Sequence, residues 1–533
     1  MRRMLLALIG LGLALAVSAS AGVRAPAPTT PAAVTATTFL VSGRGWGHGV
    51  GMSQYGALGY AQDGWTYDQI LGHFYTGAEL GPSPVAGVRV LVAEAKGSVS
   101  VRSSVPFRVR DVFGKTYALP AGDVSLGPKL RVAINGTPTE LAGPILFLPG
   151  TAPLELDRPY RGQIAVSVRG QKLDAVNVLG LEAYLQGVVA QEMPSAWPDE
   201  ALKAQAVAAR SYALAHRLSG KAFDLYADVR SQVYGGIAGE HPRTTAAVQA
   251  TKGEVLLWEG KPIDALFHST SGGTTLDAAE VFGTPVPYLV GVDDPHSALS
   301  PVHRWGPVAV TETALRKGLK SRAPVTSLRL TRGPSGRVST VQVTTPAGTT
   351  KISGATLRLA GGLRSTWITQ LVTMSLTRPG GVVRSGTAVT LTGRGNGVKG
   401  AVLQQRVAGA WTRVSGPALK ATVKLVEPAS FRIAAGKLVG SVLNVPVAPA
   451  VTLRPKGVLS VSGTVRPLYH FEVELQRADG GTWTSEAFTA TDVKGAFTAT
   501  VSKPGVYRAR VATNPGSLAF AFAEGLSGQI ELR

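Results

Sequence analysis

The chain has no cysteine in its 533 residues. A disulfide framework, cysteine-ligated zinc or iron–sulfur centres and a thiol nucleophile are therefore excluded. Charge is also scarce, with charged residues at 16%, and it is unbalanced: 54 Lys and Arg stand against 33 Asp and Glu, a formal +21. The eight histidines include no His-x-x-x-His pair. His48, His73 and His268 are unlinked in sequence, a poor zinc signal, so no metal and no cofactor are expected. After the first residues, nothing approaches the ~20 unbroken apolar residues of a membrane span.

What is present is ample apolar material. Hydrophobic residues make up 44%, too many for a disordered chain. The 64 Gly and 34 Pro predict many turns. At about 150 residues per domain, the length suggests three or four domains.

The start reads as a targeting signal. Met1-Arg2-Arg3 is basic, Leu5 to Val17 is apolar and uncharged, and Ala19-Ser20-Ala21 is a small-x-small cleavage site. Residues 1–21 are expected to be a secretory signal peptide and 22–38, rich in Ala, Pro and Thr, a flexible leader. A secreted or cell-wall location follows, with no stable membrane span after cleavage and no nucleic-acid partner. The +21 charge suits the anionic polymers of a cell wall. It equally suits an exported protein that is simply basic by composition.

Periodicity divides the rest. Residues 41–80 are Gly-dense and aromatic. Alternation at Val88/Val90/Val92, Val99/Val101, Phe107/Val109 and Ile164/Val166/Val168 predicts strands over 87–178. Helices are expected at Leu179–Val189, Asp199–Leu218 and Thr244–Thr251, the second opened by Pro198 and Glu200 and rich in alanine. Strand returns at Gly253–Phe267 and, with turns, over Val325–Thr373. Beyond Arg378-Pro379-Gly380-Gly381 the helix pattern ends. Val389–Gly393 is echoed by Leu459–Gly463, Leu403-Gln404-Gln405-Arg406 by Leu475-Gln476-Arg477, and Trp411-Thr412 by Trp483-Thr484. The fold class is therefore α+β: a mixed domain over 39–373, followed by two β-sandwich-like modules at 374–449 and 450–533. Trp411 and Trp483 read either as ligand platforms or as core anchors.

The densest chemistry lies at Val188–Pro198. Glu192 follows a helix, and Pro194 disfavours helix at Met193, so the carboxyl sits at a turn among Val189, Met193 and Trp197. An apolar setting raises a carboxyl pKa and keeps its proton available for donation. The alternative is a glutamate paired with a nearby base. Lys203 and Arg210 are two turns apart on one helix face, either a cradle for an anionic or polyhydroxyl substrate or an ordinary solvated stripe. Asp228, Asp277, Glu280, Asp293 and Asp294 are all open as a second carboxylate.

These residues carry a resemblance. Glu192-Met193-Pro194 with Glu200 to Tyr212 resembles the signature of the SpoIID/LytB family, the stage II sporulation protein D and amidase-enhancer family. Ser231–Gly236, Phe267–Thr274 and Pro287-Tyr288-Leu289 match in order. Gly43–Ala57 (GRGWGHGVGMSQYGA) and Ile70–Gly77 resemble the block that closes the domain in much of the family, but here they open it. The domain is thus expected to be circularly permuted, with the Gly-rich block (43–80) packed against residues near 357–373.

The resemblance implies action on peptidoglycan. Some members are lytic transglycosylases, in which one Glu protonates the leaving oxygen and then serves as base on the sugar's own hydroxyl, giving a 1,6-anhydro end. Carried over, Glu192 is the acid/base, and Lys203 and Arg210 stabilise substrate or oxyanion. Gln232, Tyr234, His268, Ser269, His48, Ser53 and Gln54 are candidate cleft residues; for the two histidines a structural role is equally open. The glycan strand is the expected partner. The alternative is a non-catalytic peptidoglycan-binding activator of an N-acetylmuramoyl-L-alanine amidase, with that amidase as partner.

Overall fold

The structure is a computed structural model, and it describes residues 31–416, 418–512 and 521–533. The expected signal peptide lies outside these residues, as does most of the expected leader. The end of that leader is a strand, not a flexible segment: β1 (Val34–Arg44) begins at Val34. Its threonines explain the difference. Thr35 and Thr37 share hydrogen bonds with Thr377 and Ser375 at 2.9 and 3.0 Å, a hydroxyl ladder between strands.

β1 is the hinge of the architecture. It pairs antiparallel with Arg304–Thr311 on one side and Ile368–Arg378 on the other. The sheet then continues through Thr387–Asn396 to Lys420–Leu425. Successive side chains of a strand face opposite ways. Phe39 and Val41 therefore enter one core with Trp305 and Val341, while Leu40 enters another with Met374 and Leu376. The expected boundary at 373/374 accordingly falls inside a strand that serves both sides.

The Gly-rich block runs directly out of β1. The main-chain N–H of Arg44 donates to Trp367 O at 2.9 Å and that of Gly47 to Arg364 O at 3.0 Å. Then β2 (Met52–Ser53) pairs parallel with Phe267–His268. Two helices follow that the sequence reading missed, α1 (Gln54–Gln62) and α2 (Tyr67–Phe74).

Residues 87–180 form two antiparallel sheets and a hairpin over a core that holds Val88, Val90, Val101, Phe107, Val109, Ile164 and Val166. The alternation fails only at the edges: Val168 ends exposed near the strand terminus. Helix α3 (Leu181–Glu192) continues from the larger sheet, then α4 (Asp199–Ala215) and α5 (Pro242–Ala250). α4 is the central helix. Its alanines Ala201, Ala204, Ala206, Ala208 and Ala209 are all fully buried, and small side chains let α1, α2, α3 and α5 all contact it. The stretch read as strand and turn over 325–373 also holds a helix at Gly354–Ala360, capped by Ser353. The two C-terminal modules are all-β, and their inward residues share one core from Val389 to Leu532. No helix among the described residues is long and apolar enough to cross a membrane.

Candidate active site around Glu192

Glu192 is the last residue of α3. Met193 is extended (φ −132°, ψ 136°), as a residue preceding proline should be. The main-chain carbonyl of Glu192 has no helical N–H to receive and takes one from elsewhere: the Gln54 side-chain amide donates to it at 2.9 Å. The same amide nitrogen donates to Gln205 Oε1 at 3.1 Å. The start of α1, the end of α3 and the middle of α4 are thus fastened at one point.

The carboxyl group of Glu192 is largely withdrawn from water. Burial raises its pKa above the ordinary glutamate value of 4.5, opposed in part by a hydrogen bond from the Val233 N–H. Tyr184 and Tyr212 both feel its negative charge. No basic side chain contacts it among the described residues. The ion-pair alternative therefore falls away, and the carboxyl is a desolvated acid.

The two bases of α4 are spent elsewhere. Arg210 is 0% exposed and forks onto Glu182 at 2.6 and 3.0 Å, with further bonds to the carbonyls of Glu254 and Val248. The expectation that Arg210 meets substrate is corrected: it ties α4 to α3, α5 and the following strand. Lys203 pairs with Glu200 at 2.7 Å and sits 5.9 Å from the Tyr67 ring, at the contact with α2, and Glu192 is not among its contacts. Neither base is positioned as a stabiliser of charge at Glu192.

Gln232 and Tyr234 are packed into the core, and neither contacts Glu192. Both are buried, at 2% and 4% exposure. Tyr184 donates to Gln232 Oε1 at 3.1 Å, and Tyr234 donates to Asn177 Oδ1 at 2.9 Å. The Tyr184 and Tyr234 rings are 5.2 Å apart. Tyr234 also touches an open depression of about 430 Å³ with Val229, Arg230 and Val233, but Glu192 does not line it.

The glycine block and Phe267–Ser271 come together as one layer. His48 accepts from the Val50 N–H at 3.1 Å, so its other nitrogen donates to Phe267 O at 3.0 Å. Burial lowers the His48 pKa to about 4 and pushes His268 far down as well, with the cations Arg337 and Arg358 adding to both shifts. His268 bonds Val50 O through Nδ1, while its buried Nε2 has no partner. Both histidines are neutral and structural on this geometry. Ser53 caps α1 and accepts from the Ser271 N–H, and Ser271 donates to buried Asp294 at 2.5 Å. Ser269 bonds Thr270. Gln54 alone of this layer reaches Glu192.

The sequence reading missed the groups that do gather near the carboxyl. Tyr212 has its pKa raised by burial and by the charges of Asp264 and Glu192. Its ring stacks on His216 at 4.0 Å, and His216 Nε2 meets Asp264 Oδ1 at 2.8 Å. The negative charges of Asp264 and Glu192 thus both reach Tyr212. Four of the five acids held open as a second carboxylate have their carboxylates engaged elsewhere: Asp228 pairs with Arg230, Asp277 and Asp294 cap turns, and Glu280 accepts from Ser335. The available signal was Tyr212 at the end of the α4 motif, and Asp264 as the one acid between apolar Ile263 and Ala265.

Comparison with known proteins places this geometry. The family model described as SpoIID, stage II sporulation protein, matches residues 169–258. That span holds α3, Glu192, α4, Gln232 and Tyr234 but not the glycine block. Stage II sporulation protein D of Bacillus amyloliquefaciens is 31% identical over 38% of this chain and 63% of its own length. The amidase enhancer of Bacillus subtilis is 42% identical over 21% of this chain and 15% of its own. An uncharacterised protein of Brachyspira hyodysenteriae is 40% identical over 25% of this chain and 37% of its own. The chain thus spans between about a third and two thirds of the first two curated relatives it matches. Among solved structures, a cytokine receptor complex matches at a TM-score of 0.19 and 14% identity over 30% of this chain, too slight a likeness to assign a fold.

Proposed function

We propose that this chain, whose residues 169–258 belong to the SpoIID/LytB family, is a secreted cell-wall protein that cleaves peptidoglycan glycan strands as a lytic transglycosylase. The observation that supports this most is Glu192: a single carboxyl, desolvated at a helix end, with its pKa raised and no cation to hold it ionised. Such a group holds its proton to higher pH than an ordinary glutamate and can give it away.

In this reading, protonated Glu192 donates to the glycosidic oxygen as the C1–O bond breaks. The C6 hydroxyl of the same sugar attacks C1 and returns its proton to the Glu192 carboxylate. One bond forms and one breaks, no water enters, and the product carries a 1,6-anhydro end. One acid/base carboxyl suffices, in contrast to the carboxyl pairs of ordinary glycoside hydrolysis. The Gln54 bond to the Glu192 carbonyl and the Val233 N–H fix the group's position.

The test is product analysis. The mature protein, incubated with glycan strands stripped of stem peptides, should release anhydro-ended fragments visible by mass spectrometry, and Glu192→Gln should abolish them. A second reading has its own support, the 42% identity to an amidase enhancer: a non-catalytic activator of a wall amidase. It predicts no sugar fragments from the purified protein and a faster amidase on mixing.

A further inference from the structure

The two β modules repeat one arrangement on the outer face of a sheet. In the first, Gln404 on strand Val402–Val407 stands directly between Arg413 on Ala410–Arg413 and Arg432 on Ala429–Ala435, and Arg406 stands opposite Trp411. Leu403, Phe431 and Ile433 point into the core, so these alternating residues point out. The Arg432 guanidinium lies 4.2 Å from the Trp411 ring centre and donates to Gln404 Oε1 at 2.8 Å. The second module builds the same triad. Arg508 lies 4.2 Å from the Trp483 ring and donates to Gln476 Oε1 at 2.9 Å.

Charge separates the copies. Where the first module has Arg406 opposite Trp411, the second has Ala478 opposite Trp483. Where the first has Arg413 beside Gln404, the second has Ser485 beside Gln476. Residues 374–449 hold ten Lys and Arg and one acid, Glu427, whereas 450–533 hold nine against seven. The acids of the second module neutralise its bases: Arg477 meets Glu486, and Arg510 meets Glu474 and Glu524. In the first, no ion pair forms among the described residues, and Glu427 instead accepts from the Tyr469 hydroxyl. Arg406 and Arg413 are exposed, and they donate to the carbonyls of Gly409 and Ser415.

We propose that this outer face of the first module is a docking surface for a phosphodiester-linked wall polymer, a chain of polyol or sugar units with one anionic phosphate per repeat. The choice of the wall as the source rests on the cell-wall reading above; the charge and its placement do not. Arg413 and Arg432 stand two strands apart, about 10 Å, and Arg406 about 7 Å further along the central strand. Cations spaced this way meet successive charges of a polymer better than a single ion. Arginine forks match phosphate oxygens, and the indole of Trp411 offers an apolar face to the carbon units between them. The +9 of this module pulls such a polymer in at long range, while the near-neutral second module, with the same Trp–Arg–Gln triad, acts as a spacer.

The test uses the full mature chain and no activity measurement, so it stands apart from the transglycosylase reading. The variant Arg406→Ala/Arg413→Ser copies the second module onto the first. Retention is measured on purified cell-wall sacculi that carry phosphodiester polymer, and on the same sacculi after acid removal of the phosphodiesters, across a salt series. Wild type should lose about tenfold or more in affinity on stripped walls, and the double variant the same on intact walls, with a salt slope shallower by about two. Arg406→Lys/Arg413→Lys should keep most binding, and Arg508→Ala should change little. Thermal melting of each variant confirms folding, which surface changes should leave intact. Equal binding of wild type to stripped and intact walls, or unchanged binding by the double variant, overturns the proposal. Tighter binding to duplex DNA than to intact walls also overturns it, in favour of a nucleic-acid partner.

Discussion

Gln54 donates its side-chain amide to the main-chain carbonyl of Glu192 at 2.9 Å, joining residues 138 apart in sequence. The carbonyl is the last of α3, and Gln205 shares the same donor. Replacing Gln54 by Leu leaves two acceptors without that donor, at a cost of about 1–3 kcal/mol. Because the bond holds the last carbonyl of α3, it also holds the residue that carries the carboxyl. Gln54→Leu should therefore lower kcat more than it raises KM on glycan strands, while Gln54→Glu, which keeps the shape but supplies no donor when ionised, should not rescue it. Urea unfolding and steady-state kinetics read both effects. A variant with lost stability and unchanged kcat would leave Gln54 a fold element only.

Glu192 carries a stability signature of opposite sign to its usefulness. Burial raises its folded pKa above the unfolded value. Protonated Glu192 therefore fits the fold, and that stabilisation, complete below about 4.5, is lost as pH rises through the raised value. Glu192→Gln cannot ionise. Its stability relative to wild type should rise as pH climbs through the raised pKa, and the gap should close at acid pH. Activity should fall on the alkaline side as the same proton is lost. Melting curves across pH, read beside the rate profile, check whether one group governs both.

Arg210 shows what the motif spacing concealed. Seven residues separate it from Lys203, so both lie on related faces of α4, and the sequence permits a shared role. Their partners decide otherwise: Glu182, 28 residues back, forks onto Arg210, which is completely buried. Arg210→Ala would leave the partly buried Glu182 carboxylate with only the Gly253 N–H, strip the donor from two buried carbonyls, and should cost about 3–5 kcal/mol. Arg210→Met with Glu182→Leu should cost much less than the two single changes summed, since neither charge is then left alone. Denaturant titration gives all four corners of that cycle. Equal stability with weaker substrate binding would return Arg210 to the site.

Much of the fold was written in local pattern. Alternation at Val88/Val90, Phe107/Val109 and Ile164/Val166 placed the sheet, because each strand has one face in the core. The alanine run placed α4. The α1 helix was hidden by its glycines, which depress helix propensity. Their reason is tertiary: a Cβ on Gly56 would stand 2.6 Å from an Asp294 oxygen, and one on Gly59 2.3 Å from His296 Cβ. β1 was hidden by its threonines, read as leader until Thr377 and Ser375 supply partners more than 330 residues away. At the site, Glu192 was legible because Pro194 fixes the bend beside it. Asp264 was not, because an isolated acid in strand text carries no sign of the His216 and Tyr212 it will meet.

His48 makes a second pH prediction, with the reverse sign. Burial lowers its folded pKa to about 4, below the ordinary 6.5. Its neutral form fits the fold, so this contribution is whole above about 6.5 and lost as pH falls toward 4. A His48→Gln variant keeps a donor and an acceptor without titrating. Its stability should decline less than wild type between pH 6.5 and 4, by up to about 3 kcal/mol. NMR titration of the ring protons gives the pKa directly, and a value near 6.5 would contradict the buried placement.

Asp264 decides between two ways of using the carboxyl pair. Its charge, like that of Glu192, acts on Tyr212, and it meets His216 at 2.8 Å. If a single carboxyl does the chemistry, Asp264 only orients His216 and tunes the Tyr212 hydroxyl. Asp264→Asn should then slow turnover by about tenfold or less, leave anhydro-ended fragments as the product, and shift the alkaline limb where Tyr212 loses its neighbouring charge. If Asp264 instead activated water, wild type would release reducing ends, and Asp264→Asn would lose 10²-fold or more of the rate, as loss of a general base does. The product ends of wild type and variant, compared on the same strands, separate these cases without any assumption about how the sugar binds.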